Sequence, residues 1–324
     1  MRSEAKGVAS ESAVKLITTA VGELKRSPKI GRAEALRREA VRELVIAMPR
    51  EVQLLTFTAI GDAYGVCFEY APRPIIRTRN NLSGYFPHHK YRTGGGRYSD
   101  DTQMSIAVAE ALLKLGDAAN AHDFTESFVA AFQRDPREGY AGRFHEFLLT
   151  VTDADDFLAR IRNDSDKSGG AMRAGACGLL GGVEVVKSIA ARQAAVTHDT
   201  PDGIAAAQAA ALMVHYLLYR LGPRRDLPNF LDIHVDGYRW SRTHKGSVGA
   251  KGCDSVRAAV TAVVRSQSVS DLLIDCVNFG GDVDTVAAIA MAAAACADDI
   301  VRDIPETLWS AGKRPLWPRQ PDRT

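Results

Sequence analysis

Two short stretches of this chain, about 180 residues apart, crowd acids and hydroxyls together: Ser99-Asp100-Asp101-Thr102 and Asp282-Val283-Asp284-Thr285. Each opens an alanine-rich run, so each is expected at the start of a helix. Carboxylate and hydroxyl oxygens packed this closely repel one another unless a hard cation sits between them. An oxygen-only donor set suits Mg²⁺, Mn²⁺ or Ca²⁺. If the two turns converge, they gather four carboxylates and up to three hydroxyls, a group whose size suits two cations better than one. The pattern points to a metal-dependent enzyme.

A plainer role competes with that one. Acids in the first turn of a helix are stabilised by the free N–H groups and the helix dipole, and Ser99 is a natural N-cap, so either cluster alone can be a cap and nothing more. The second turn carries an extra signal, because Gly280-Gly281 permits a tight backbone turn directly before Asp282. A third stretch, Gly61-Asp62-Ala63-Tyr64-Gly65-Val66-Cys67-Phe68-Glu69, places two glycines four residues apart and ends in an acid. Glycines at that spacing share one helix face and allow a neighbour to come close. Glu69 reads equally as a surface residue or as a site acid.

The elements that must position these residues are helical. Apolar residues recur at helical spacing over Ile106 to Leu115, Phe124 to Phe132, Ala205 to Arg220, Val256 to Val264 and Val283 to Ala297, separated by loops rich in Gly, Asp and Pro. No series of β-branched strands alternates with them, so the expected class is all-α, a compact multi-helix domain. No fixed-period repeat suggests a solenoid. Residues 1–50 hold 11 Lys/Arg and 6 Asp/Glu, whereas the rest of the chain is slightly acidic. Val14, Ile17, Val21 and Leu24, then Leu36, Val41, Leu44, Val45 and Met48, predict two amphipathic helices broken at Ser27-Pro28. The division is therefore a basic helical extension over 1–49 and a main domain over 50–324, the extension serving as a packing element or a partner-binding arm.

Composition narrows the class further. The 324 residues are 46% hydrophobic and 25% charged with net charge +2, enough to bury a large core and without the basic, aromatic-interleaved patch of a nucleic-acid binder. Five cysteines, Cys67, Cys177, Cys253, Cys276 and Cys296, lack metal-ligand spacing and fit a reducing compartment. Glu4, Lys6, Glu11 and Lys15 interrupt any signal-peptide core, and the longest apolar run, Val286 to Ala297, is too short to span a bilayer. A cytoplasmic protein with no membrane partner is expected.

Taken together, the three acidic motifs resemble the ADP-ribosylglycohydrolase family. Gly61-Asp62, Gly65 and Glu69, then Tyr98-Ser99-Asp100-Asp101-Thr102-Gln103-Met104, then Gly280-Gly281-Asp282-Val283-Asp284-Thr285 match its three signatures in order, and the resemblance runs from about residue 54 to 300. It implies an all-α fold around a binuclear Mg²⁺ or Mn²⁺ centre, with Ser99, Asp100, Asp101, Asp282, Asp284 and Thr285 as metal ligands. Asp101 and Glu69 are then the candidates to take a proton from water, and Asp62 is a supporting acid. The loop from Tyr85 to Tyr98, with Gly95 and Gly96, would border the substrate. Ser168-Gly169-Gly170-Ala171-Met172-Arg173 is similar to the family's glycine-rich loop beside the ligand, and in Thr197-His198 the histidine resembles the family's histidine near the distal nucleotide end. Ser99 stands where relatives often carry threonine, which keeps an oxygen ligand. The implied activity is hydrolysis of ADP-ribosyl-arginine on a modified protein. The first 50 residues resemble the extension of some bacterial immunity proteins that protect against ADP-ribosylating toxins. The alternative function is accordingly an immunity protein that blocks a cognate ADP-ribosyltransferase toxin through that extension.

Overall fold

Alanine sets the architecture. A helix that is apolar on every face has no solvent side and must sit at the centre of its domain. In the computed structural model, which describes residues 48–89 and 95–309 apart from the side chains at 51 and 52, that position is taken by the run Val283–Cys296. The helices are α1 (Arg50–Gly65), α2 (Arg73–Arg79), α3 (Asp100–Leu115), α4 (Ala121–Arg134), α5 (Gly142–Leu148), α6 (Ala154–Arg160), α7 (Gly169–Met172), α8 (Val183–Ala195), α9 (Pro201–Leu218), α10 (Leu227–His234), α11 (Gly252–Arg265), α12 (Val269–Phe279), α13 (Val283–Cys296) and α14 (Glu306–Trp309). The five helices expected from periodicity all form, most of them a turn longer than their apolar cores. The two helices expected within residues 1–49 lie outside the described residues.

Every residue of α13 is buried. The helix packs along α1 more extensively than any other pair, with α11, α12 and α9 on its other sides. Gly61 and Gly65 explain the closeness. A Cβ at Gly61 would lie 2.5 Å from the Ala287 carbonyl oxygen, and one at Gly65 would lie 2.4 Å from the Asp284 Cα. The paired glycines are thus the seat of α13's first two turns, and they fix how far Asp62, between them in sequence, stands from Asp284.

Sheet is absent among the described residues, where only isolated bridges such as Val248↔Gly281 appear. Helix starts follow ordinary capping chemistry. Asn120 forms a capping box with Asp123, Thr200 caps α9 ahead of Pro201, and Ser268 caps α12. At the far end of α12, the Arg73 guanidinium donates to the carbonyls of Asn278 and Phe279, both at 2.6 Å. A cation there satisfies carbonyls the helix leaves unpaired and complements its dipole. All five cysteines are free and buried. Among the described residues, no helix is long and apolar enough to cross a membrane.

Candidate active site

The first acidic turn is held by a buried carboxylate from a neighbouring helix. Ser99 caps α3 in extended backbone and its hydroxyl accepts from the Asp101 N–H. The same hydroxyl donates to Asp62 Oδ1 at 2.8 Å, while the Ser99 N–H donates to Asp62 Oδ2 at 2.9 Å. Thr102 donates to Asp62 Oδ2 twice, from N–H at 3.0 Å and from Oγ1 at 2.6 Å. Asp62 is fully buried and spends both oxygens on the open end of α3. Asp100 and Asp101 are left to face elsewhere. Gly139, with φ of +116°, lets the chain pass against Asp100, since a Cβ there would meet the Asp100 carboxylate and the Ser99 Cβ.

The second turn is held by main chain. Asp282 sits at the N-cap position of α13 but makes no side-chain cap bond, so capping does not account for it. Gly280 and Gly281 both have positive φ, +73° and +91°, a conformation that costs glycine little. The Val248 N–H donates to Gly280 O at 2.8 Å and the Asp282 N–H donates to Val248 O at 3.1 Å. A Cβ on Gly281 would fall 1.9 Å from that same Val248 oxygen.

The two turns meet. Thr285 is near enough to both Asp101 and Asp282 to pull their carboxyls down, so the first turn comes up to the second. Carboxylate oxygens of Glu69, Asp282 and Asp284 lie within 4.8 Å of one another. Asp101, Asp282 and Asp284 are buried and Glu69 is half-buried. Burial, reinforced by the other acids, holds the carboxyls of Asp101 and Asp284 far above the usual aspartate range. Asp100 is raised by burial and then by Asp62. Glu69 is pushed up to about 7 by burial and by the charges of Asp282 and Asp62. The charged neighbours that act most on these groups are other acids.

Such a cluster is incomplete as protein alone. Asp101 Oδ1 and Asp284 Oδ1 are buried without a hydrogen-bond partner, although buried polar atoms in folded proteins are almost always satisfied. Divalent cations supply what is missing: positive charge and acceptance of several oxygen ligands at once. The residues present therefore fit a metal centre: Glu69, Asp282 and Asp284 bring carboxylate oxygens together, and Asp101 and Asp284 each keep an unpartnered one.

The remaining sequence-predicted residues surround this cluster unevenly. Ser168 Oγ donates to Asp282 Oδ2 at 3.1 Å, so the glycine-rich loop touches the acid cluster directly. Gly169 and Gly170 lie under the His198 ring: a Cβ at either would come within 2.9–3.2 Å of it. Those glycines make room for an imidazole as well as for any ligand. His198 is pulled down to about 3, by burial first and then by the Arg173 charge, and stays neutral. Arg173 Nη2 donates to Thr197 Oγ1 at 2.8 Å, and that hydroxyl lies 2.6 Å from His198 Nδ1. This bridge ties the imidazole to the buried Arg173 guanidinium. Met172 is buried in the hydrophobic core. Tyr98 is buried under the Arg137 guanidinium, 4.0 Å from the ring centroid. Gly95 and Gly96 both take positive φ, and the Gly95 N–H donates to Phe86 O at 2.9 Å. Gly139, Val248 and Arg73 escaped the sequence reading, since each acts through a contact with no local pattern.

Comparison with known proteins gives the family. A model of the ADP-ribosylglycohydrolase family matches residues 52–314. The chain belongs to that family, and its members are hydrolases of ADP-ribosyl linkages. It is 28% identical over 255 residues to an ADP-ribosyl-[dinitrogen reductase] glycohydrolase of Rhodospirillum rubrum, covering 72% of this chain and 80% of that one. It is 25% identical over 250 residues to the ADP-ribosylarginine hydrolase Tri1 of Serratia proteamaculans (strain 568), covering 71% of this chain and 66% of that protein. Among solved structures it shares its fold with a chain of an ADP-ribosylglycohydrolase-related protein complex, at TM-score 0.62 and 24% identity, covering 81% of this chain and 91% of the other.

Proposed function

We propose that this protein hydrolyses the N-glycosidic bond between ADP-ribose and an arginine side chain on a modified protein, releasing ADP-ribose. The observation that carries the reading is the close group of Glu69, Asp282 and Asp284 carboxylates, with Asp101 and Asp284 each keeping a buried, unpartnered oxygen. Two relatives named for action on ADP-ribosylated substrates, one of them on ADP-ribosylarginine, support the linkage.

Ser99, Asp100, Asp101, Asp282, Asp284 and Thr285 are the residues that would hold two divalent cations, Mg²⁺ or Mn²⁺. When bound, these supply charge neutralisation for the acids and a Lewis-acid grip on ribose hydroxyls. The chain's own groups account for the rest. Cleavage breaks the bond from ribose C1″ to a guanidinium nitrogen, builds oxocarbenium character at C1″ and forms a new bond from C1″ to a water oxygen. The water loses a proton to a carboxylate and the guanidine leaves carrying one. Glu69 and Asp101 are the proposed proton acceptors. Glu69 is the more accessible, because it is half-buried at the edge of the cluster whereas Asp101 is enclosed. Ser168 fixes Asp282 from the glycine-rich loop. A neutral His198, tied through Thr197, stands beside Gly169 and Gly170, on the side proposed for the nucleotide. Segment 85–98 is the proposed border to the ribose, through Gly95, Gly96 and Tyr98.

The test is a release assay on arginine- and serine-ADP-ribosylated proteins, each run with and without added divalent metal. Metal-dependent release of ADP-ribose from the arginine substrate is expected. Release from the serine substrate alone, or release undiminished by exhaustive chelation, would contradict the proposal.

A further inference from the structure

Glu69 stands outside any helix: α1 ends at Gly65, and the acid follows in a turn. Its carboxylate nevertheless reaches the same small volume as Asp282 and Asp284, so something other than a helix ladder must fix its main chain. The peptide unit joining Glu69 to Tyr70 is gripped from both sides. Its N–H, on Tyr70, donates to Gly281 O at 2.8 Å. Its carbonyl oxygen, on Glu69, lies 2.8 Å from His88 Nε2. A carbonyl only accepts, so the hydrogen of that bond is on Nε2. Tyr70 meanwhile holds φ at +46°, a left-handed conformation that an aromatic residue keeps only where its surroundings impose it. His88 is 6% exposed and packs against the His89 ring at 4.4 Å, so its own place is set by the segment that carries it.

We infer that His88 is a positioning residue for Glu69, clamping the Glu69–Tyr70 peptide against the Gly280-Gly281 turn and so setting the third carboxylate of the Glu69, Asp282 and Asp284 group. This rests on the metal-centre reading above. The clamp ties His88 to the Gly280-Gly281 turn through one peptide plane. Here Glu69 is taken as a further oxygen donor to the metal centre, and His88 contacts it at the main-chain carbonyl. Outer partners of metal ligands that act this way typically contribute ten- to a hundredfold in metal affinity.

The test is Mn²⁺ titration of the full chain, followed by electron paramagnetic resonance of the free ion. His88→Met and His88→Ala remove the donor and are expected to weaken Mn²⁺ binding about tenfold. His88→Gln, which retains an N–H donor of similar reach, is expected to restore most of it. In a Glu69→Gln background the loss of His88 should add nothing, because the two act as one unit. Wild-type affinity in both donor-less variants, or an equal loss with and without the Glu69 carboxylate, overturns the clamp and leaves the metal centre standing. A wild-type protein that takes up no Mn²⁺ overturns both. A second measurement avoids substitution: the ¹⁵N shifts of His88 in the wild-type chain should report hydrogen on Nε2, and a tautomer bearing it only on Nδ1 would refute the bond.

Discussion

Asp101 and Asp284 belong to one acidic cluster, each buried and partnerless at one oxygen, yet the turns that carry them are built by different means. The first turn is organised by a side chain: Asp62 gathers two N–H groups and two hydroxyls at the mouth of α3. The second is organised by backbone, with Gly280, Gly281 and Val248 exchanging main-chain hydrogen bonds and no side chain capping α13. A side-chain anchor can be weakened in steps, since losing one acceptor leaves the backbone path intact. A glycine turn laid against a carbonyl has no such slack. Both anchors spend their own hydrogen-bonding capacity and leave one oxygen each of Asp101 and Asp284 free for something else.

Several substitutions probe how far the comparison holds. Asp101→Ala and Asp284→Ala should each reduce ADP-ribose release by at least about a thousandfold, roughly 4 kcal/mol of transition-state stabilisation, with the fold retained. Their metal-free forms should melt no lower than the wild type, because each change removes a buried, like-charge-crowded acid whose desolvation opposes folding. Differential scanning calorimetry in chelator checks the second half of that expectation. Gly281→Ala should be the most damaging to the fold, by about 3 kcal/mol or more in denaturant unfolding. It adds a Cβ onto the Val248 oxygen at a positive φ. Asp62→Ala should cost somewhat less, about 2–3 kcal/mol, the scale of losing hydrogen bonds to a charged acceptor. If Asp62→Ala proves the more destructive, the contrast between the two anchors fails.

The same acids give the metal-free protein a pH signature. Glu69 is raised from its ordinary value of 4.5 to about 7, and Asp101 and Asp284 are raised as well. Over the window between the unfolded and folded values, the folded chain binds more protons than the unfolded one, so stability falls as pH rises. For Glu69 the contribution is fully present below pH 4.5 and is lost as pH climbs through about 7. Thermal midpoints in chelator should therefore decline across that range, and saturating Mn²⁺ should flatten the decline. A midpoint that rises with pH in chelator would contradict the electrostatic account. The smallest effect is expected from the chain's other end: deleting residues 1–45 should leave hydrolysis within about threefold, in keeping with an active site built from later residues. The proposal that this extension binds a toxin ADP-ribosyltransferase is tested by the same deletion in a toxin-binding assay, where loss of binding supports it and unchanged binding relegates the extension to packing.

What the sequence disclosed and what it hid divide along physical lines. Ser99 as an N-cap, the helical reading of Val283 onward and the close-packing role of Gly61 and Gly65 were legible because each rests on spacing within a few residues. The meeting of the two turns was not, since Thr285 reaching Asp101 depends on how α13 lies along α1. Only family resemblance anticipated it. Gly139 against Asp100, Val248 against Gly281 and His88 against the Glu69 carbonyl were invisible for the same reason. A single glycine, valine or histidine in a loop carries no period, and its partner lies far away in the chain or outside any motif. Gly169 and Gly170 gave a partial answer, for a glycine pair predicts close approach without saying what approaches, and here the neighbour is His198.

The most direct test of the central claim is anomalous diffraction at the manganese edge from crystals of this protein soaked in Mn²⁺. The account predicts two peaks between the Ser99–Thr102 and Asp282–Thr285 turns, contacting the carboxylates of Asp101 and Asp284. No peak there, or manganese bound elsewhere while these acids remain empty, would contradict it.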